Sequence, residues 1–272
     1  MIKGLSGEAL QEFMKTRKEK DYLVVDVRQP EEYRLDHIPG SVNIPLAEVQ
    51  FDPYIFENER DLVFCCTRGA RCKVAAVFVS EAGHASNRLF YLQEGLFEYS
   101  GELMIAMPKI GVFPSDMTAQ AVMRTAVGFE KAAYRFYRSA LEKLRRAPIR
   151  STLEKMAKEE KAHAKSIFRK LNSAPATEAD FQAYFDQSSD SILEGGKSFK
   201  EVEAFLRQET SNPCMDILDF AIEIEYNAYD LYKTIAEKSD QADVKQLLFH
   251  LAEVEKKHLD RLITDLELCV QY

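Results

Sequence analysis

The sequence lacks the features that would place the protein in a membrane or on a nucleic acid. No segment approaches the ~18 uncharged apolar residues that cross a bilayer, and residues 1–20 are polar and charged. No polybasic block accompanies the formal net charge of −8. We therefore expect a cytoplasmic protein without a signal peptide, a membrane anchor or a nucleic-acid partner.

Cysteine is also scarce. The five cysteines in 272 residues are an odd number, and Cys65 and Cys66 are adjacent, which does not resemble the disulfide framework of a small secreted protein. The sequence therefore predicts reduced thiols, at least one of which is reactive.

The length and the hydrophobic content of 46% allow two domains. Up to about residue 105, short apolar strands such as YLVVDV and DLVFCC alternate with helical segments, which predicts a parallel α/β domain over 1–108. Proline and glycine mark a linker at 109–116. Residues 117–272 have helical spacing almost throughout, with a polar stretch at 172–213, which predicts an all-α four-helix bundle with a long crossover.

The helical half contains an internal repeat. The segments AVGFEKAAYRFY and MAKEEKAH recur 95 positions later as AIEIEYNAYDLY and LAEVEKKH. Each copy holds one glutamate on a first helix and a Glu-x-x-His motif on the next. The repeat supplies six candidate metal ligands, which are Glu130, Glu160, His163, Glu225, Glu255 and His258.

Positions i and i+3 share a helical face, so each Glu-x-x-His motif can direct an oxygen and a nitrogen to one point. Two such motifs with two further glutamates are the ligand set of a di-iron or di-manganese carboxylate bundle. Four carboxylates also offset the charge of two divalent cations. A duplicated hairpin with solvated charged faces is the alternative for each motif taken alone.

These residues resemble the ferritin-like di-iron domain of rubrerythrins over about 117–272. The resemblance implies two iron ions, reaction with hydrogen peroxide or dioxygen, and a dimer or higher oligomer. Carboxylate and imidazole ligands also accept manganese or a mixed pair. Two departures are notable: Ala228 occupies the position of an extra glutamate, and no pair of Cys-x-x-Cys motifs supplies a rubredoxin domain. The electron donor is therefore unknown.

A second candidate site lies in the loop CTRGARC, between an apolar strand and a helix. A thiolate is favoured beside arginines and at a helix N-terminus, so Cys66 is the predicted nucleophile, with Arg68 and Arg71 as charged catalytic partners. A glycine at position 69 allows a tight turn whose N–H groups surround the sulfur. The other residues predicted to form the substrate-binding loop are Thr67, Gly69, Ala70 and Cys72.

Together with VVDVRQPEEYRLDHIPGSVNIP, this loop resembles the single-domain rhodanese family over residues 1 to about 105. The resemblance implies a sulfurtransferase in which Cys66 accepts sulfur from a donor such as thiosulfate and passes it to cyanide or a thiol. Asp36 and Ser41 replace the usual glycine and alanine of the family, outside the expected catalytic loop.

Several roles stay open at this stage. Cys72 either packs at the helix start or resolves an oxidised Cys66 as a disulfide, and Cys65 should face the opposite side of its strand. Four tyrosines either pack in the core or hydrogen-bond the ligand carboxylates; they are Tyr134, Tyr137, Tyr229 and Tyr232.

Two functions are compatible with the sequence. The first is a bifunctional enzyme that combines sulfur transfer through a Cys66 persulfide with di-iron oxidoreductase chemistry, namely peroxide or oxygen reduction or ferrous iron oxidation. In this case sulfur electrons from Cys66 are a hypothetical source of reduction for the metal centre. The second is an iron-handling or redox-sensing protein in which the rhodanese domain is a non-catalytic docking module.

Overall fold

The structure is a computed structural model that describes residues 2–56, 60–83, 88–113, 118–144, 148–172 and 176–270. It divides into two compact units. The first comprises Met1–Pro108 with Tyr232–Glu253, and the second comprises Lys109–Leu231 with Val254–Tyr272. Residues 114–117, where the linker should end and the helical domain begin, lie outside the described residues. The domain limits inferred from the sequence stay a prediction.

A five-stranded parallel sheet forms the centre of the first unit. The strands run in the order β1-β5-β4-β2-β3. Their bounds are β1 (Ile2–Leu5), β2 (Tyr22–Asp26), β3 (Val42–Asn43), β4 (Asp61–Cys65) and β5 (Leu89–Leu92). The helices of the same region are α1 (Gly7–Thr16), α2 (Pro30–Leu35), α3 (Leu46–Phe51) and α4 (Ala70–Glu81). The predicted parallel α/β fold is confirmed.

The central strands β2 and β4 are buried along their whole length, as expected for parallel strands covered on both faces. Successive side chains enter different core clusters because a strand alternates its faces. One cluster contains Leu62, Phe64 and Cys66, and the other contains Val63 and Cys65. Cys65 and Cys66 therefore lie on opposite faces of the sheet, as the alternation predicts.

Two strands were not recognised in the sequence. β1 contributes only four residues, IKGL, and lies at the edge of the sheet beside β5. β3 has two residues at the other edge. Short edge strands carry too few alternating positions to give a sequence signal, since their pairing is decided by the neighbouring strand.

The rest of the chain is helical. The helices are α5 (Ala119–Lys143), α6 (Arg150–Leu171), α7 (Glu178–Gln187), α8 (Phe199–Leu206), α9 (Pro213–Lys238), α10 (Ala242–Thr264) and α11 (Glu267–Val270). At the start of α5, the Thr118 hydroxyl accepts a hydrogen bond from the N–H of Ala121 at 3.2 Å. The predicted helical bundle is confirmed, and none of the described helices is long and apolar enough to cross a membrane.

One core cluster joins α5, α6, α8 and α9 in the second unit. It includes Phe136 of α5, Leu153 of α6 and Leu218 of α9, which are fully buried. The polar stretch between α6 and α9 contains α7 and α8, two short helices of the predicted crossover. Val202 of α8 enters the core, so the crossover is packed against the bundle.

The expectation that the thiols are reduced is wrong for two cysteines. Cys214, at the start of α9, forms a disulfide with Cys269 of α11, and their Cα atoms are 5.5 Å apart. The two residues are separated by 55 positions without any motif, so only the folded helices bring them together. Cys65, Cys66 and Cys72 are free.

Candidate functional sites

Cys66 directly follows β4, and the loop after it leads into α4 at Ala70. The residue is 1% exposed. The Cys72 N–H donates a hydrogen bond to the Cys66 sulfur at 3.4 Å. The Cys72 thiol and the backbone N–H groups of Cys72, Arg68 and Gly69 lower the pKa of the Cys66 thiol to about 5, although burial acts in the opposite direction. Cys66 is therefore a thiolate at neutral pH.

The loop conformation depends on glycine at position 69. Gly69 has φ +82°, and a Cβ atom built there would lie 1.7 Å from the carbonyl oxygen of Gln93. No side chain fits so close to a backbone atom, and L residues rarely adopt this φ. Gly69 thus allows the loop to pack against the segment after β5 while its N–H stays directed at the Cys66 sulfur.

Cys72 is a hydrogen-bonding neighbour of Cys66. Its thiol lies 3.0 Å from the Gly69 carbonyl oxygen and 3.3 Å from that of Leu92. The hydrogen bond to Cys66, followed by burial, raises the pKa of the Cys72 thiol, so it keeps its proton. Burial also raises the pKa of the Cys65 thiol. Of the three free cysteines, only Cys66 has a depressed pKa.

The two arginines of the loop differ in their surroundings. Arg71 forms a two-pronged ion pair with Glu32 of α2, with both N–O distances at 2.7 Å. This contact, with a hydrogen bond from Thr67 at 3.1 Å, lowers the pKa of Glu32 to about 2. Arg68 is exposed, and its guanidinium lies 5.8 Å from the centre of the Phe97 ring.

Glu32 is a site residue that the sequence analysis missed. It belongs to QPEEY, where two acids after Pro30 indicated only the first turn of a helix. In the structure, Glu32 also closes a capping box with Gln29. No local pattern reveals that this glutamate contacts the loop after Cys66, because the contact joins residues 39 positions apart.

Residues of the segments DVR and SVNIP connect the elements next to the loop. Arg28 is 4% exposed and pairs with Asp26 at 2.8 Å and with Asp36 at 2.8 Å. The Asn43 amide donates to the carbonyl oxygens of Asp26 at 3.0 Å and Arg28 at 2.8 Å. These contacts tie β2, α2 and β3 together at the carboxyl edge of the sheet, where the loop with Cys66 begins.

The six predicted metal ligands converge inside the second unit. They come from four helices, with Glu130 on α5, Glu160 and His163 on α6, Glu225 on α9, and Glu255 and His258 on α10. The His258 Nδ1 atom lies 3.1 Å from a Glu255 oxygen, 3.2 Å from one of Glu225 and 3.4 Å from one of Glu160.

His163 occupies the other side of the cluster. Its Nδ1 atom lies 3.7 Å from a Glu130 oxygen and 3.8 Å from a Glu160 oxygen. Its ring stacks on that of His258 with centroids 5.0 Å apart. Glu160, His163 and His258 offer donor atoms within 4.8 Å of one another, and so do Glu225, Glu255 and His258. The convergence of helices, which the repeat predicts, therefore occurs.

Several buried oxygen and nitrogen atoms of these residues make no hydrogen bond among the described residues, which tests whether they fit metal ions. Both carboxylate oxygens of Glu130 and of Glu255 are buried and have no hydrogen-bond partner among the described residues. The same is true of one Glu160 oxygen and of one ring nitrogen of each histidine. Burying oxygen and imidazole nitrogen atoms without a partner costs folding free energy. The same atoms are the ligands that first-row divalent ions accept. The residues fit the metal pair that the resemblance implies.

The pKa values of the clustered residues are shifted in different directions. Burial raises the pKa of Glu130, Glu160 and Glu255. Burial opposes ionisation of Glu225 and His258 as well. Attraction to His258 nevertheless lowers the pKa of Glu225, and attraction to Glu160 and then to Glu225 raises the pKa of His258. Without cations, only part of this cluster can carry its charge at neutral pH.

The four tyrosines separate into different roles. Tyr137 is fully buried and its hydroxyl donates a hydrogen bond to a Glu225 oxygen at 2.5 Å. Tyr134 is half-buried and packs edge-on against Phe185. Tyr229 and Tyr232 are buried. Tyr137 therefore hydrogen-bonds a candidate ligand, whereas Tyr134 packs against an aromatic ring.

A seventh candidate ligand, the fifth glutamate of the cluster, was missed. Glu194, in the crossover, is 3% exposed and presents an oxygen within 4.8 Å of donor atoms of Glu130 and Glu255. In the sequence it belongs to EGG, which indicates only a turn between helices. It lies outside the repeat, so the repeat could not identify it.

Comparison with known proteins supports two separate families in one chain. A model of the rhodanese-like domain matches residues 9–102, and a model of rubrerythrin matches residues 121–190 and 216–267. The first match covers Cys66 and strands β2 to β5, and the second covers all six clustered residues of the helices.

Three relatives illustrate the N-terminal match. An HTH-type transcriptional regulator of Mycobacterium tuberculosis is 38% identical over 88 residues, which are 32% of this chain and 38% of that protein. The thiosulfate:glutathione sulfurtransferase of Saccharomyces cerevisiae is 30% identical over 87 residues, 27% of this chain and 63% of that protein. This chain thus spans less than two thirds of either. A rhodanese-related protein of Thermoplasma volcanium aligns at 24% identity and TM-score 0.33, covering 38% of this chain and 98% of its own.

Proposed function

We propose that this chain, in which a rhodanese-like domain is joined to a rubrerythrin domain, is a bifunctional enzyme of sulfur transfer and di-iron redox chemistry. The observation that carries the first activity is the surroundings of Cys66. Its sulfur accepts a hydrogen bond from the Cys72 N–H at 3.4 Å. The neighbouring Cys72 thiol and the N–H groups of its own loop lower its pKa to about 5. A thiolate is the reactive form of cysteine, and the same donors stabilise a persulfide anion in its place.

The proposed transfer has two balanced steps. The Cys66 thiolate attacks the outer sulfur of thiosulfate, a new S–S bond forms, and sulfite leaves with the electron pair of the broken S–S bond. A thiolate or cyanide then attacks the terminal sulfur of the persulfide, and Cys66 leaves as the thiolate. Thiosulfate and a thiol are proposed as substrates because the yeast relative is named for them.

A thiosulfate:cyanide assay tests this activity. Cys66→Ala should lower the rate of thiocyanate formation by at least about 10³-fold, because the nucleophile is removed. Cys65→Ala is the matched control, since that thiol lies on the opposite face of the sheet. If wild type and Cys66→Ala are equally inactive while the protein binds iron, the domain is a docking module and the iron-handling alternative is favoured.

The second activity is supported by the buried, unsatisfied oxygen and nitrogen atoms of the helical cluster. Two ferrous ions held there would each give up one electron, and this pair of electrons would reduce hydrogen peroxide to two waters or dioxygen to peroxide. Glu130, Glu160, Glu225 and Glu255 would balance the charge of the ions, and His163 and His258 would complete their coordination. The Tyr137 hydroxyl would orient Glu225 through its hydrogen bond.

Metal analysis and peroxide consumption test the second activity. Wild type reconstituted anaerobically with ferrous iron should hold two ions per chain and consume peroxide when a reductant is supplied. Glu160→Ala should lose at least one ion and the activity, because Glu160 lies between the two histidines. Glu154→Ala, on the exposed side of the same helix, should retain both. Equal iron content in both variants would refute the assignment.

A further inference from the structure

Glu194 differs from the six clustered residues because it comes from the crossover. It is almost fully buried, and one of its oxygens lies within 4.8 Å of donor atoms of Glu130 and Glu255. The other two groups of close donors each contain an imidazole, whereas this third group contains only carboxylates. Glu194 therefore faces the oxygen-rich side of the cluster.

The crossover backbone is held firmly at this point. The Leu193 N–H donates to the Lys197 carbonyl at 2.8 Å, and the Phe199 N–H donates to that of Ser191 at 2.8 Å. A Cβ atom on Gly195 would lie 2.3 Å from the Cβ of Asn227 on α9. The segment around Glu194 is thus bonded to itself and in contact with a helix that supplies a clustered glutamate.

A second close contact holds the crossover against α5. A Cβ atom on Gly128 of α5 would lie 2.8 Å from the Ser189 carbonyl oxygen. Glycine at position 128 lets the crossover approach α5 two residues before Glu130. The position of Glu194 therefore follows from packing on two helices.

A cation would bind these three buried carboxyl groups favourably. Neither Glu130 nor Glu255 has a hydrogen-bond partner for its carboxylate oxygens among the described residues, and both are at least 99% buried. Adding a third buried carboxylate at this distance increases the electrostatic repulsion in a medium of low polarity. A cation that binds all three carboxylates removes the repulsion.

We propose that Glu194 is a seventh donor of the metal centre and binds the ion that Glu130 and Glu255 hold. This inference rests on the proposed dinuclear centre and deepens it. Three residues after Glu225, on the same face of α9, lies the buried Ala228, which offers no donor atom. Glu194 supplies a carboxylate from a different element of the fold.

Manganese titration tests the proposal, with Mn²⁺ alone as the probe and unbound Mn²⁺ measured by its electron paramagnetic resonance signal. Glu194→Gln keeps the size of the side chain and removes its charge. We expect wild type to bind two ions and the variant to bind one of them at least about tenfold more weakly. Glu194→Asp, which keeps the charge, should lie between them, and Glu209→Gln, on the exposed part of the crossover, should match wild type.

Thermal melting separates a ligand from a residue that merely supports the fold. Without metal, Glu194→Gln should melt within about 2 °C of wild type or above it, because the variant replaces a buried acid by a neutral amide of the same size. With Mn²⁺, the variant should melt below wild type, because it lacks one carboxylate ligand. Unchanged Mn²⁺ affinity in Glu194→Gln beside a wild type that binds two ions would overturn the role of Glu194 alone, as would equal destabilisation with and without metal. A wild type that binds fewer than two ions would overturn the dinuclear centre as well.

Discussion

The two candidate sites hold negative charge in opposite ways. Around Cys66, a single anion is surrounded by N–H groups of its own loop and by a neighbouring thiol. In the helical cluster, several carboxyl groups face one another, and the oxygens of Glu130 and Glu255 make no hydrogen bond among the described residues. The first site is complete as the chain folds, whereas the second needs ions to become favourable.

The largest expected effect comes from removing metal. A ligand present at ~1,000 times its dissociation constant stabilises the folded state by about 4 kcal/mol, which corresponds to roughly 10 °C in melting temperature for a domain of this size. Chelation should therefore lower the melting temperature of the helical unit by about this amount. The rate at which iodoacetamide alkylates Cys66 should stay unchanged, since that site needs no metal. Equal melting of loaded and chelated protein would remove the contrast between the sites.

Tyr137→Phe should have the next largest effect. The variant deletes the hydroxyl that donates to Glu225 and keeps the aromatic ring. Loss of such a supporting hydrogen bond weakens metal binding by about 10–100-fold. Competition with a chelator measures this affinity, and Tyr134→Phe is the control because its ring packs against Phe185. The same loss in both variants would mean that packing, not the hydrogen bond, supports the cluster.

Cys72→Ala should shift the acidity of Cys66. In wild type, the rate of alkylation should be constant above about pH 6 and fall as the pH drops through the Cys66 pKa of about 5, where the thiolate becomes protonated. Removing the Cys72 thiol deletes the largest favourable contribution, so the midpoint should rise by at least about one pH unit. Cys72→Ser retains a donor and should shift it less. An unshifted Cys72→Ala profile would show that the N–H groups alone set the pKa.

Glu32→Gln should give the smallest effect. Glu32 neutralises Arg71, so the variant leaves an additional positive charge beside the loop. Attraction of the thiosulfate dianion should then lower KM by about 2–3-fold, and the change should diminish at high ionic strength because salt screens exposed charges. Glu31→Gln, at a more exposed position of the same helix, is the control. A change in kcat at constant KM would assign Glu32 to positioning of the loop instead.

Structural features that follow from a periodic sequence pattern could be predicted. The alternation of YLVVD and DLVFC gives two buried strands, and it correctly places Cys65 and Cys66 on different faces. The 95-residue repeat identifies six residues that the structure brings together. In both cases the relevant spacing is that of a single strand or helix, so local periodicity carries the information.

Residues whose role depends on tertiary contact could not be predicted. Glu32 and Glu194 lie in segments that read as a helix start and a turn, and their partners are distant in the sequence. The Cys214–Cys269 bond likewise has no local signature. Such contacts are decided by how elements pack, which a single sequence does not encode in any short pattern.

The Cys214–Cys269 bond has a consequence for the response of the protein to thiols. Both cysteines have no exposed surface, so a reductant in solution cannot reach either sulfur while the helices stay packed. Exchange of this pair with thiols in solution therefore has to wait until the short helix α11 opens. The bond would stay in the oxidation state it has acquired for as long as this packing lasts, whatever thiols and sulfur species the protein encounters.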